Sequence, residues 1–274
     1  MKLLVNGCSY SWGGGLYNIH YNKDSDPDKI GFLSIDMDHP INDERLQKVY
    51  SHHLGKLMKA EKVYNLSMGG TSNERIVRTT MDFYTKKILN NEDISDYFAV
   101  IQWTSVDRTE LYDDILEGTI HMLPGGVIFE PDDALKTFTA EEHKVLLDDI
   151  LSRKRNTYYK NFMSAKEIVN KTFQQIITLG HFFEKYNIPY LFCSMNPATI
   201  MEYFKDENDK MKYLNRFKWL DYTLDKSTIT VYTGHPGNTE FLCKSGHPNE
   251  RGHIEISIGL YKWIINNKLT GELV

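Results

Sequence analysis

Phe98-Ala99-Val100-Ile101-Gln102-Trp103 is a nearly continuous apolar run. A strand with one wet face alternates apolar and polar residues, whereas a run like this fits a parallel strand covered on both faces. Strand-like and helix-like segments alternate on either side of it. Leu3-Leu4-Val5 reads as a short buried strand that stops at Asn6-Gly7. Residues 45–60 place Leu46, Val49, Tyr50, Leu54, Leu57 and Met58 at helical spacing, and Lys62-Val63-Tyr64-Asn65-Leu66 reads as a second strand ending before Gly69-Gly70. Ser72 is the N-cap expected for a helix carrying Ile76, Val77, Met81 and Tyr84. The longest helix is expected over 161–186, a fourth strand at Pro189-Tyr190-Leu191-Phe192-Cys193, a fifth at Thr228-Ile229-Thr230-Val231-Tyr232, and a closing helix over 249–266.

That order predicts an α/β chain in three layers, α/β/α and flavodoxin-like, around a central parallel sheet of about five strands. Ligands of such sheets gather at the carboxyl ends of the strands. Two segments break the rhythm. Residues 21–43 are polar and acidic, with Asp24, Asp26, Asp28, Pro27 and Pro40, and read as an excursion loop. Residues 104–160 hold Pro124-Gly125-Gly126 and charged helical pieces such as 140–151. They read as a helical and loop insertion over the strand carboxyl ends, with the makings of a lid. The expectation is one domain over 1–274 with that insertion, without repeats or low-complexity tracts.

Composition narrows the function classes. The 274 residues carry a net charge of −5 and no long basic run, so the electrostatic footprint of a nucleic-acid binder is missing. No apolar stretch approaches a membrane span. The apolar part of Met1-Lys2-Leu3-Leu4-Val5-Asn6-Gly7 is too short for a signal peptide, which points to a soluble cytoplasmic protein; delivery by a nonclassical route such as a virus particle stays open. Cys8, Cys193 and Cys243 show no CxxC spacing, as free thiols in a reducing compartment would. The 17 tyrosines suit either carbohydrate contacts or amphipathic core edges, and core edges are the commoner use. There is no HExxH motif or Cys/His cluster, and the adjacent His52-His53 pair cannot share one metal face, so no metal is expected.

Three motifs carry chemistry. Gly7-Cys8-Ser9-Tyr10-Ser11-Trp12-Gly13 follows the first strand directly. A nucleophilic hydroxyl is best presented from such a turn, where the amides of the next helix meet a developing oxyanion. Gly7 lets the chain turn, Ser9 is the candidate nucleophile, and Gly13 to Gly15 give room for substrate. The G-x-G-x-x-G spacing of a dinucleotide site is not met, so a bound dinucleotide is not expected at this turn. A serine that only caps a helix is the plain alternative. Near the other end, Gly246-His247-Pro248-Asn249-Glu250-Arg251-Gly252-His253 precedes an apolar helix. Pro248 fixes His247 in an extended conformation at a loop–helix junction, from which a neutral imidazole can take a hydroxyl proton. Thr233-Gly234-His235-Pro236-Gly237 mimics this block but lacks the following helix. The third motif, Asn65-Leu66-Ser67-Met68-Gly69-Gly70-Thr71-Ser72-Asn73, offers the Gly70 amide as an oxyanion donor; a glycine required only by the turn is the alternative.

Together these blocks resemble the SGNH (GDSL-like) hydrolase family. Gly7-Cys8-Ser9 is similar to its nucleophile block, Gly70 in its setting to the oxyanion-glycine block, and His247-Pro248-Asn249 to the histidine block. The resemblance implies a three-layer α/β/α domain, no metal or organic cofactor, and hydrolysis of small-molecule or glycan esters, often acetyl groups on carbohydrate or lipid esters. The chain departs from the family in two places. The Gly-x-Asn block is replaced by Gln102-Trp103-Thr104-Ser105-Val106-Asp107-Arg108, where Ser105 or Thr104 would supply the third donor, Ser105 by preference; otherwise this is a plain strand-end turn with Arg108 paired to an acid such as Glu110. The acid usually three residues before the histidine is Lys244 here. A backbone carbonyl, another acid such as Asp221 or Asp225, or a bare Ser–His dyad are the ways left to orient His247. The expectation is a serine esterase with Ser9 and His247 at its centre. The alternatives are a binding module on the same fold, decayed as an enzyme and directed at glycans or a virion surface, and an acyltransferase with the same nucleophile.

Overall fold

The computed structural model describes residues 1–14, 16, 45–113, 118–123, 126–131, 153–161, 164–195, 197–223, 229, 233, 240–243 and 246–270. Four strands form a parallel sheet: β1 (Lys2–Asn6), β2 (Lys62–Asn65), β3 (Tyr97–Trp103) and β7 (Tyr190–Ser194), in the order β2-β1-β3-β7. β1 lies between its two partners, with Leu4 opposite both Tyr64 and Ala99. This 2-1-3-4 order is the flavodoxin-like one. An isolated parallel bridge from Phe192 to Trp219 extends pairing beyond β7. The fifth strand expected at 228–232 lies outside the described residues, apart from Ile229.

Side-chain alternation splits the core into two layers, because successive strand residues point to opposite faces. Leu3, Val5, Phe98, Val100, Leu191 and Cys193 face α2 (Tyr50–Leu57) and α7 (Glu250–Asn266), through Tyr50, Leu54, Ile256, Leu260 and Ile264. Leu4, Ala99, Ile101, Trp103, Tyr190 and Phe192 face α3 (Asn73–Leu89) and α4 (Ala165–Lys185), through Ile76, Tyr84, Ile176, Leu179 and Phe183. The chain is therefore α/β in three layers. Tyr50, Tyr84, Tyr97 and Tyr190 are all buried in these layers, in line with the core-edge reading of the tyrosines. Helix starts follow their caps: Ser72 Oγ accepts from Arg75 N, Ser164 Oγ from Glu167 N, and Asn249 Oδ1 from Gly252 N. Two further helices, α5 (Pro197–Phe204) and α6 (Asn208–Leu214), add Phe204 and Leu214 to the second layer.

The segment after β3 differs in kind from the expectation. Its described part is a three-stranded antiparallel sheet, β4 (Thr109–Asp113), β5 (Gly118–Leu123) and β6 (Gly126–Pro131), followed by a helix over 153–161. The helical pieces expected at 140–151 lie outside the described residues. This sheet is tied to the starts of α3 and α4: Thr109 Oγ1 donates to Glu74 at 2.7 Å, Lys171 Nζ donates to Thr109 Oγ1 at 2.6 Å, and Lys171 pairs with Glu74. It thus stands on the rim where the parallel strands end. None of the three cysteines is in a disulfide. No helix among the described residues is long and apolar enough to cross a membrane.

Candidate active site

The turn after β1 is built from buried polar groups. Asn6 anchors it to α3: its Nδ2 donates to Ile76 O, Thr79 Oγ1 and Thr80 Oγ1, and its Oδ1 accepts from Gly7 N at 2.9 Å. Gly7 has no room for a side chain, since a Cβ there would stand 2.6 Å from Ser11 Oγ and 2.7 Å from Gln102 Cβ. Cys8, fully buried, takes the N-cap position of α1 (Ser9–Trp12). Gln102, near the end of β3, binds this short helix from below. Its Oε1 accepts from Ser11 N at 3.1 Å and from Ser11 Oγ, and its Nε2 donates to Cys8 Sγ at 3.2 Å. With the Ser11 proton directed at Gln102, Tyr50 OH is the donor to Ser11 Oγ at 2.7 Å. Burial pushes the Tyr50 pKa well up, so that phenol keeps its proton. These contacts fix the backbone that carries Ser9, which is itself half-buried.

His247 arrives from the other end of the chain on a pinned turn. Cys243 N donates to His247 O and Asn249 N to Phe241 O, both at 2.9 Å, around the antiparallel bridge between Leu242 and Pro248. Gly246 closes the turn at φ +76°, a conformation that favours glycine. Tyr10 then ties the two ends together. Its hydroxyl donates to Gly246 O at 2.9 Å and its ring lies 5.2 Å from the His247 ring. Burial raises the Tyr10 pKa, with the Cys8 and Cys243 thiols adding to the rise and Arg108 opposing it, so the phenol remains a donor. The outcome is a contact between His247 Nε2 and Ser9 Oγ of 2.9 Å, across 238 positions of sequence. Gly14 borders this pair: a Cβ there would lie 3.1 Å from His247 Cδ2, 3.4 Å from Nε2 and 3.3 Å from Ser9 O. Gly13 ends α1 at φ +90°, and Gly15 lies outside the described residues. The glycines sequence reasoning assigned to substrate room thus serve, where described, to end the helix and to admit the imidazole.

The other expected residues stand on the same rim. Gly70 lies in the turn after β2 at φ +70°. That turn runs beside the nucleophile: Met68 N donates to Gly7 O at 3.2 Å, and Gly69 packs on the Trp12 ring. Ser105 follows β3, but its Oγ donates to Asp107 Oδ1 at 2.5 Å. A serine hydroxyl has one proton, and this one is committed to Asp107. Thr104 is buried with its hydroxyl unpartnered, and its amide donates to Asn73 Oδ1 at 2.9 Å while Asn73 Nδ2 donates to its carbonyl at 3.3 Å. Asn73 therefore clamps the Gly70 turn to the end of β3. The pairing of Arg108 with Glu110 considered above is not the one formed, because Glu110 takes Arg78 in two hydrogen bonds of 3.0 Å. Lys244, Asp225 and His235 lie outside the described residues. Asn6, Ser11, Gln102 and Asn73 are site residues that sequence reasoning missed; for Asn6 and Gln102 the signal was polarity at the end of an apolar strand. Beneath the site, His253 is fully buried, and its Nδ1 accepts from Tyr50 N at 3.3 Å. Burial, followed by the charges of His53, His247 and Arg45, lowers its pKa to about 3, so it stays a neutral acceptor. Among the described residues no group of three or more His, Cys, Asp or Glu side chains could hold a metal ion.

Residues 34–207, more than half of the chain, match a family of unknown function, DUF6071. The chain belongs to that family. The matched span of this DUF6071 protein includes Gly70, Ser105 and the antiparallel sheet, whereas Ser9 and His247 flank it on either side. No curated protein matches the chain. Among solved structures, it is similar to a putative lipolytic protein of the G-D-S-L family from Desulfitobacterium hafniense DCB-2 (11% identity, 95% of this chain and 98% of that one, TM-score 0.46). It is also similar to TesA (9% identity, all of both chains, TM-score 0.44) and to the psychrotrophic esterase EstA from Pseudoalteromonas sp. (10% identity, 97% and 98%, TM-score 0.43).

Proposed function

We propose that the chain is a serine hydrolase acting on acyl or acetyl esters of small molecules or glycans. The observation that carries this reading is the 2.9 Å contact of Ser9 Oγ with His247 Nε2 at the carboxyl end of β1. In the proposed reaction Nε2 accepts the Ser9 proton as Oγ attacks the acyl carbon. The imidazolium then protonates the departing alcohol, and water repeats the sequence to release the acid. The carbonyl oxygen, negative in the tetrahedral intermediate, is held by the amides of Ser9 and Gly70. Ser105 joins them only by leaving Asp107, so two amides form the working oxyanion site. Tyr10 packs on the imidazole, and the missing side chain of Gly14 leaves room for it.

The test is p-nitrophenyl acetate hydrolysis together with labelling by a fluorophosphonate probe. Ser9→Ala and His247→Ala are each expected to lower kcat by about 1000-fold or more, and Ser9→Ala to abolish labelling. Full activity in Ser9→Ala, or probe attached to another serine, refutes the proposal.

A further inference from the structure

Arg108 is a cation on the candidate site's rim that the reaction above does not use. It follows β3 in the turn closed by Arg108 N donating to Ser105 O at 3.4 Å. Its Nη1 is buried and has no hydrogen-bond partner. The acids beside it in sequence are engaged elsewhere: Asp107 accepts from Ser105, and Glu110 holds Arg78 in a two-pronged ion pair. The turn is also held firmly. Tyr159 OH donates toward Asp107 O at 2.7 Å, and Thr104 is clamped by Asn73. A guanidinium donor withdrawn from water without a partner is a standing cost to the fold, and an anion arriving in the site removes it. The position suits such an anion. Arg108 stands in the turn that follows β3, beside the end of β1 that carries Ser9, and Gln102 at the end of the same strand already binds the Ser9 turn.

We propose that Arg108 is a specificity-determining residue, which receives a carboxylate or phosphate carried by the ester that Ser9 and His247 cleave. The inference rests on the hydrolase reading, and it narrows the substrate class to anionic esters. Arg108 binds the remote end of the substrate and takes no part in bond making. The planar guanidinium fork matches two oxygens of either group, which lysine cannot imitate.

Two measurements separate this inference from the reading beneath it. The first compares hydrolysis of mono-p-nitrophenyl glutarate with that of p-nitrophenyl butyrate, in the natural protein and in Arg108→Gln and Arg108→Lys. The second measures binding of glutarate and of inorganic phosphate by calorimetry, which needs no turnover. The expected result is a preference for the glutarate ester, falling at least tenfold in kcat/KM ratio in Arg108→Gln and only partly retained in Arg108→Lys, with a matching loss of anion affinity. Stronger binding of glutarate than of phosphate assigns a carboxylate, and the reverse assigns a phosphate. Ester hydrolysis with the same glutarate-to-butyrate ratio in all three proteins overturns the role of Arg108 and leaves the hydrolase standing. Anion binding that needs Arg108, without hydrolysis of any ester, keeps the anion site and overturns the hydrolase. Neither hydrolysis nor binding overturns both.

Discussion

Replacing Gly14 with alanine probes the Ser9–His247 pair without removing either member. The added Cβ would stand 3.1 Å from Cδ2 of His247, 3.4 Å from its Nε2 and 3.3 Å from the Ser9 carbonyl. Carbon atoms do not rest at 3.1 Å, so the ring has to withdraw by a few tenths of an ångström. Tyr10 packs against the same ring, and the backbone of His247 is tied at its carbonyl to Cys243, so the retreat is a tilt rather than a shift of the turn. A tilt of that size opens the Nε2–Oγ contact from 2.9 Å to about 3.3 Å, beyond good hydrogen-bond range. Since a 1 Å misplacement costs about a hundredfold in rate, a fall in kcat of about tenfold is expected, with KM little changed. Stability should not fall with it. Gly14 does not occupy the left-handed region, and at such sites Gly→Ala stabilises by about 0.4–1 kcal/mol through the unfolded chain. The assay pairs steady-state kinetics on p-nitrophenyl acetate with thermal unfolding. An unchanged kcat in Gly14→Ala, beside an inactive Ser9→Ala, would show that the close approach of Gly14 to the imidazole plays no part in catalysis.

Two further outcomes follow from buried polar groups. His253 has a folded pKa of about 3 against 6.5 when exposed, so between those values the unfolded chain binds the extra proton. The stability it supports is complete above pH 6.5 and drains away as pH falls toward 3, by about 2 kcal/mol between pH 7 and pH 5. Urea unfolding at both pH values should show that loss reduced by about 2 kcal/mol in His253→Phe; an identical loss in both proteins refutes it. Gln102→Leu strips partners from Ser11 N, Ser11 Oγ and Cys8 Sγ together. It should destabilise by about 2–3 kcal/mol and slow fluorophosphonate labelling, whereas unchanged labelling would disconnect Gln102 from the nucleophile turn.

The parallel sheet was legible because its signals are local. Ala99 to Ile101 are apolar on both faces, and both faces are covered. Ser72 and Asn249 cap helices in the places where their neighbours in sequence predict them. The pairing of Ser9 with His247 was legible for a related reason: each sits at a junction between two recognisable elements, and a parallel sheet gathers such junctions on one rim. The antiparallel sheet after β3 was not. In β5, His121 is fully buried between Ile120 and Met122, so the alternation that marks a half-wet strand is absent. In β4, Leu111 and Tyr112 are adjacent and both exposed, which erases it again. The supports of the nucleophile turn were hidden by distance. Gln102 meets Cys8 across 94 positions and Asn6 meets Thr80 across 74, and no local pattern records such partners. The partner of Glu110 went the same way, with Arg78 reaching it from another element.

The bond from Tyr10 to the carbonyl of Gly246 joins the turn after β1 to the turn before α7 across 236 positions of sequence. A chain emerging from the ribosome exposes its serine early, while the imidazole is still to be made. The Ser9–His247 contact is therefore withheld from every nascent chain that stops short of His247. The contact forms only when α7 docks beside α2, so that docking step gates the pair.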